Sequence, residues 1–209
     1  SCSPRKRKPL TSLIMPYKIH TLSVVIPVFN DQEVLPELIK RLMPAIVPLA
    51  ENLQVILVDD GSRDRSWKLI SELAEQYPQL QGLRLARNFG QQSAIAAGLA
   101  VSCGDIAVIM DSDLQDRPED IHKLITALFE HNVNMAVAQW EQRKDSFFKL
   151  LLSRLFNLTA NQITSIRIEP RLGGFRAIRR QVVEELLKFP EKTSTSFGLM
   201  YYIEQNYVC

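Results

Sequence analysis

At 209 residues, with 46% hydrophobic and 23% charged side chains, the chain has the make-up of an ordinary globular protein, with room for one α/β domain rather than two. A formal charge of +2 is too near balance to point to nucleic acid. Cys2, Cys103 and Cys209 show neither metal-ligand spacing nor a disulfide framework, and no stretch resembles a signal peptide or approaches the ~18 apolar residues of a transmembrane helix, so the chain reads as soluble or peripheral in a reducing compartment.

Residues 1–20 are basic and punctuated by proline, with Arg5-Lys6-Arg7-Lys8 in their midst. They are expected to form a loose leader, contact with anionic lipid being the sharper alternative. The apolar run Leu22–Val28 predicts a buried strand with Pro27 at its end or at a bulge. A helix is predicted from Asp31 to Leu49, with Asn30 as N-cap and Pro36 in an early turn. Leu53–Val58 reads as a second strand, Arg63–Gln76 as a helix and Leu83–Leu85 as a third strand. A helix over Gln91–Cys103, a strand over Ile106–Met110, a helix over Pro118–Glu130 and a strand over Met135–Ala138 follow. Beyond Trp140 the pattern loosens. An amphipathic helix is expected over Phe147–Asn161, then an arginine-rich connection into Gly173-Gly174-Phe175-Arg176, a helix over Gln181–Leu187 and an element near Phe197. Strands that are apolar throughout and alternate with helices imply an α/β fold, a three-layer α/β/α domain over residues 21–209 around a mostly parallel sheet. Its C-terminal part is expected to be incomplete at Cys209.

The richest chemistry lies in Met110-Asp111-Ser112-Asp113-Leu114-Gln115-Asp116, three carboxylates and an amide where an apolar strand ends. The carboxyl edge of a parallel sheet is where open α/β folds bind ligands. Asp111 and Asp113 alternate around one residue, so extended backbone would point both the same way, and a divalent cation would relieve their repulsion. Oxygen ligands favour Mg²⁺ or Mn²⁺ over zinc. A solvated acidic turn is the plain alternative.

Two further strand ends lie on the same edge, Pro27-Val28-Phe29-Asn30-Asp31 and Val58-Asp59-Asp60-Gly61-Ser62. Phe29 offers a face for a base to stack on, or else packs in the core. Asp59 or Asp60 can accept hydrogen bonds from base N–H or ribose hydroxyl groups, or else belong to a capped turn. Arg87-Asn88-Phe89-Gly90 forms a fourth junction, where Arg87 pairs with phosphate, with the acidic cluster or in a surface ion pair. Together these residues describe a nucleotide-diphosphate site. No Gly-x-Gly-x-x-Gly or P-loop occurs, and His20, His122 and His131 fall outside the acidic edge.

In these motifs the chain resembles the family 2 glycosyltransferases of GT-A fold, in their polyprenyl-phosphate, dolichol-phosphate-like branch. Val25-Ile-Pro-Val-Phe-Asn30, Val58-Asp-Asp-Gly-Ser62 and Asp111-Ser-Asp-Leu-Gln-Asp116 match the opening, second and metal motifs, and Arg87-Asn-Phe-Gly90 and Gly173-Gly-Phe-Arg176 match two branch signatures. The resemblance implies Pro27, Phe29, Asp31, Asp59, Asp60 and Asp111 around the nucleotide sugar. It further implies Asp111, Asp113 and Gln115 as ligands of Mg²⁺ or Mn²⁺, with Asp113, Asp116 and Arg87 carrying catalysis. The implied reaction is inverting transfer from a UDP- or GDP-linked sugar to a polyprenyl phosphate at the cytoplasmic face of a membrane. Arg143, Arg176 and Arg179 are expected near the acceptor phosphate, solvated surface arginines being the alternative.

Four departures stand out. Phe29-Asn30-Asp31 replaces the usual Tyr-Asn-Glu, and Asp116-Arg117-Pro118-Glu119 replaces Asp-Pro-Pro-Glu. Gly174 stands where the branch usually carries an aspartate, and the later arginine-rich segment and membrane helices of many members do not follow. A phosphate acceptor tolerates loss of a carboxylate base, because a phosphomonoester with a second pKa of about 6 is already ionised at neutral pH. The alternative is a truncated or degenerate relative that binds nucleotide sugar without transferring it. A sugar-nucleotide pyrophosphorylase would need a glycine- and arginine-rich loop after the first strand, and a response regulator would need a late strand-end lysine; neither is placed.

Overall fold

The computed structural model describes residues 18–139, 172–188 and 207–208. Seven strands form one sheet in the order β3-β2-β1-β4-β6-β5-β7. They are β1 (Thr21–Val28), β2 (Asn52–Asp59), β3 (Leu80–Arg84), β4 (Ile106–Ile109), β5 (Met135–Gln139), β6 (Leu172–Arg179) and β7 (Tyr207–Val208). The helices are α1 (Leu35–Ile46), α2 (Ser66–Gln76), α3 (Gln91–Val101), α4 (Ile121–Glu130) and α5 (Arg180–Lys188). All neighbours pair in parallel except β6, which runs antiparallel to both β4 and β5. The mostly parallel α/β sheet expected from the apolar strands is therefore what forms.

Both faces of the sheet are covered. Val24, Ile26 and Val28 of β1 face α1 and α4, packing with Leu35, Leu38, Leu42, Ile121 and Ile125. Val25 faces the other way with Ile56, Val58 and Ile109, against Ala94, Ile95 and Leu99 of α3 and Val182 and Val183 of α5. Alternating residues of one strand thus enter two separate cores, which is why β1 reads as a continuous apolar run. The chain runs outward from β1 to β2 and β3, then returns to β4 on the other side of β1. That reversal opens a crevice at the carboxyl ends of β1 and β4.

Several boundaries differ from the sequence expectations. Ile19 is buried in the core, and Lys18 and His20 both pair with Glu51, so the fold begins before residue 21. Helix α1 starts at Leu35 rather than Asp31, and Asn30 is not its cap. Asn30 has φ +59°, and the backbone N–H groups of Asn30, Asp31 and Gln32 donate to Ser62, Ser66 and Asp64 instead of entering a helix. The same bonds hold residues 62–65 ahead of α2, which begins at Ser66 rather than Arg63. Residues 47–49 and 118–120 form 3₁₀ turns.

Strand β6 is the larger departure, because no element is expected over Gly173-Gly174-Phe175-Arg176 between the arginine-rich connection and the helix at Gln181. Two glycines and two arginines hid the strand pattern. The expected helix over Phe147–Asn161 and the element near Phe197 lie outside the described residues.

Candidate functional site

At the end of β1, Phe29 is 43% exposed, so its ring is not core packing. Oδ2 of Asp31 accepts the Phe29 N–H at 3.1 Å and the Ser112 hydroxyl at 2.6 Å. The second of these bonds joins the ends of β1 and β4.

At the end of β2, Asp59 and Asp60 part company. Asp59 is fully buried: Oδ1 accepts the Ser62 N–H at 3.0 Å, and Oδ2 lies 3.2 Å from Nε of Arg84 in an ion pair without hydrogen-bond geometry. Asp60 receives the N–H groups of Phe89 and Gly90, one on each carboxylate oxygen, at 2.8 and 2.9 Å. The next residue must be glycine, because Gly61 has φ +70° and a Cβ there would stand 2.5 Å from the Arg87 carbonyl carbon. Asp60-Gly61 is therefore the seat on which the Arg87–Gly90 loop rests. Arg87 lies over the Phe89 ring, 4.9 Å from its centroid.

The acidic run after β4 closes on itself. The Asp111 N–H donates to Oδ2 of Asp116 at 3.0 Å, the Gln115 N–H donates to Oδ1 of Asp113 at 3.0 Å, and Leu114 turns the chain at φ +62°. Glu119, just beyond, receives both Nε and a terminal nitrogen of Arg41 at 2.9 and 2.8 Å, which fastens the run to α1. Burial, and then the charges of Asp111 and Asp113, push the Asp116 carboxyl up to about 6, against the Asp111 N–H and the Arg176 charge. Burial followed by the Asp113 charge also raises Asp111, opposed by Gln91 and Arg176. Gln91, in the first turn of α3, donates to Oδ1 of Asp111 at 2.6 Å.

These strand ends surround a cleft of about 270 Å³ lined by Pro27, Phe29, Asp31, Asp60, Asn88, Gly90, Gln91, Asp111, Ser112 and Asp113. Six residues expected at the site thus meet in one place: Pro27, Phe29, Asp31, Asp60, Asp111 and Asp113. Gln115 and Asp116 line a second groove of about 400 Å³, and Arg87 lines a separate hollow with Gly61, Ser62 and Arg84, the last two being the partners of Asp59. Asn88 and Ser112 fall within the motifs on this sheet edge without an expected role of their own, and Gln91 is expected only to open a helix. The position of Gln91 at a helix start directly after the Arg87–Gly90 motif was the available signal.

Two of the three expected acceptor arginines, Arg176 and Arg179, do not line the cleft. Arg176 is 1% exposed, with Nε donating to the Gly174 carbonyl at 3.1 Å, so it faces no solvent-borne phosphate. Arg179 pairs with Ile106, at the opposite end of β4 from Asp111. There it lies over the Phe129 ring and donates to the carbonyls of Val133 and Leu128, tying down the end of α4. An antiparallel β6 places arginines three residues apart toward different edges of the sheet. Arg143 lies outside the described residues.

The donor set fits a hard divalent cation. Asp111 and Asp113 both line the cleft with carboxylates, the donor type such a cation takes, and the Asp113 charge adds to burial in raising Asp111. Among the described residues no group of three or more His, Cys, Asp or Glu side chains is arranged to hold a metal ion. No described helix is long and apolar enough to cross a membrane.

The sequence model of glycosyl transferase family 2 matches residues 23–187. An undecaprenyl-phosphate 4-deoxy-4-formamido-L-arabinose transferase of Pseudomonas fluorescens is 40% identical over 181 residues, covering 86% of this chain and 52% of that protein. The chain thus spans about half the length of the curated relatives it matches. Two solved folds are similar. A Pyrobaculum calidifontis mannosyltransferase in complex with GDP-Man and Mn²⁺ has a TM-score of 0.62 at 18% identity, over 92% of this chain and 55% of that one. A glucosyl-3-phosphoglycerate synthase from Mycobacterium tuberculosis in complex with Mn²⁺, UDP and phosphoglyceric acid has a TM-score of 0.64 at 20% identity, over 90% and 67%. By its sequence match over most of the described residues, carried on a sheet with this cleft at its topological switch, the chain belongs to glycosyl transferase family 2.

Proposed function

We propose that this chain carries the donor-binding and catalytic cleft of an inverting, metal-dependent glycosyltransferase that moves a sugar from a UDP- or GDP-linked donor to a polyprenyl phosphate. The observation that carries the reading is the convergence of Phe29, Asp31, Asp111 and Asp113 on one cleft at the reversal point of the sheet. Phe29 presents its face to the base. Asp111 and Asp113 would hold Mg²⁺ or Mn²⁺, which supplies charge neutralisation for the donor diphosphate. Gln91 and the Asp116 carboxylate fix Asp111 from its side chain and its backbone. Arg87, in the separate hollow beside Gly61 and Ser62, would meet a diphosphate only if it extends beyond the cleft.

In the transfer an acceptor phosphate oxygen forms a bond to the anomeric carbon while the bond from that carbon to the nucleoside diphosphate breaks, and the diphosphate takes the electron pair. A phosphate acceptor arrives ionised, so no side chain need remove its proton. That matches Gly174, which brings no carboxylate to Asp111. Residues 140–171 include Arg143, the remaining candidate for the acceptor phosphate. A polyprenyl acceptor places the reaction at a membrane surface, and the curated relatives named for undecaprenyl phosphate support that class.

Incubation with radiolabelled UDP- and GDP-sugars, Mn²⁺ and polyprenyl phosphate tests the reading, and labelled lipid is the expected product. Tight nucleotide binding with no labelled lipid from any donor favours a relative that binds without transferring, the reading Gly174 also allows.

A further inference from the structure

Arg176 is the bulkiest of the fully buried side chains. A guanidinium stays charged, so burying it is costly unless negative charge and hydrogen bonds lie close by. Three placements set the Asp111 carboxylate near it. Side chains two apart on a strand share a face, so Arg176 lies on the same face of β6 as Gly174. A Cβ at Gly174 would stand 3.4 and 3.5 Å from the two carboxylate oxygens of Asp111. Arg176 itself pairs with Ile109, two residues before Asp111, and its Nε turns back to the Gly174 carbonyl. The Arg176 charge bears on both Asp111 and Asp116 as a smaller effect, opposed to the larger one of their burial.

We propose that Arg176 is a positioning residue, a buried counter-charge to Asp111 and Asp116 that keeps divalent-cation affinity low until a nucleoside diphosphate supplies further oxygens and negative charge. The proposal rests on Asp111 and Asp113 as the metal-holding pair. A fixed positive charge behind these carboxylates holds them together in the empty cleft and repels a dication that approaches them from the cleft side. A diphosphate tips that balance, so metal and nucleotide bind together rather than metal alone. Gly174 keeps this face of Asp111 free of a second carboxylate, which would cancel the effect.

The test is Mn²⁺ binding, followed by the electron paramagnetic resonance of free Mn²⁺, with and without UDP or GDP and with Mn²⁺–nucleotide association measured separately. Arg176→Met should bind Mn²⁺ without nucleotide about tenfold more tightly, and the enhancement by nucleotide should shrink by the same factor. Arg176→Lys, which keeps the charge, should stay within about threefold of the parent chain. Equal effects of Met and Lys, or weaker binding by Met, would overturn the proposal. Should Arg176→Met fail to fold, the Asp116→Asn/Arg176→Met pair balances the buried charge. It should bind Mn²⁺ about tenfold more tightly than Asp116→Asn alone, and equal affinities would overturn the proposal. Absence of Mn²⁺ binding by the parent chain under every condition overturns the metal reading and this proposal together. Nucleotide-assisted binding that ignores Arg176 overturns this proposal alone.

Discussion

The Ser112 hydroxyl donates a 2.6 Å hydrogen bond to Oδ2 of Asp31, and this bond joins the two strand ends that flank the sheet's reversal. Ser112 is buried, and the same Asp31 oxygen holds the Phe29 N–H. A hydrogen bond to a carboxylate contributes about 1.5–3 kcal/mol. Ser112→Ala is therefore expected to cost about 2 kcal/mol in urea unfolding and to weaken UDP or GDP binding by freeing the Phe29–Asp31 segment. Nucleotide affinity unchanged in a destabilised variant would show that the bond serves the fold and not the cleft.

Asp113 is exposed, and its Oδ1 accepts the N–H of Gln115, only two residues along the same turn. Little stability rides on so local a bond. Asp113→Ala should unfold within about 0.5 kcal/mol of the parent chain. The Mn²⁺-dependent part of its nucleotide affinity should disappear, as it should for the parent chain in EDTA. Calorimetric titration with GDP or UDP with and without Mn²⁺ reads both, and unchanged Mn²⁺ dependence would remove Asp113 from the metal site.

Much of this was legible in the residues because the parallel strands are apolar on both faces and end in polar motifs. Each motif therefore marked its own position on one sheet edge. What stayed hidden depended on partners distant in sequence. Asp59 and Asp60 are neighbours of one type, yet Asp59 is fully buried against Ser62 and Arg84, while Asp60 lines the cleft and seats the Arg87–Gly90 loop. Only the tertiary register separates them. Arg176 and Arg179 look equivalent in the sequence, but an antiparallel β6 sends one under the acidic cleft and the other to the far edge. Buried charge is the pattern that hydrophobic periodicity reads worst, and β6 carries it.

Gly98 sits inside α3, where glycine ordinarily costs about 1 kcal/mol relative to alanine. On a free helix surface Gly98→Ala would stabilise. Here a Cβ would lie 2.4 Å from Cγ1 of Val25 and 3.0 Å from Cγ2 of Val58, both fully buried in the sheet. Overpacking of that kind costs about 1–3 kcal/mol and outweighs the propensity gain. Gly98→Ala should lower the urea midpoint, and Gly98→Ala combined with Val25→Ala should lose less than the sum of the two single losses. A stabilised single variant would mean that α3 can shift off β1 without cost.

Asp116 gives the fold a pH dependence of unusual sign. Its carboxyl is pushed up to about 6, first by burial and then by the Asp111 and Asp113 charges, from an ordinary value near 3.8. Between those two values the native chain binds the proton that the unfolded chain has already released, so this group makes stability fall as pH rises through the window. Carboxylates held low by partners, Glu51 by His20 and Lys18 and Glu119 by Arg41, act in the opposite direction and lose their contribution as pH falls. The prediction is therefore differential. Asn at position 116 keeps an oxygen for the Asp111 N–H and removes the titration, so Asp116→Asn should gain stability over the parent chain at pH 7. That advantage should shrink steadily down to pH 4.5, where the parent Asp116 is itself protonated. Urea unfolding in metal-free buffer at half-unit steps of pH measures the difference. An advantage constant across the range would mean that Asp116 stays ionised throughout and that its burial is offset by partners other than the proton.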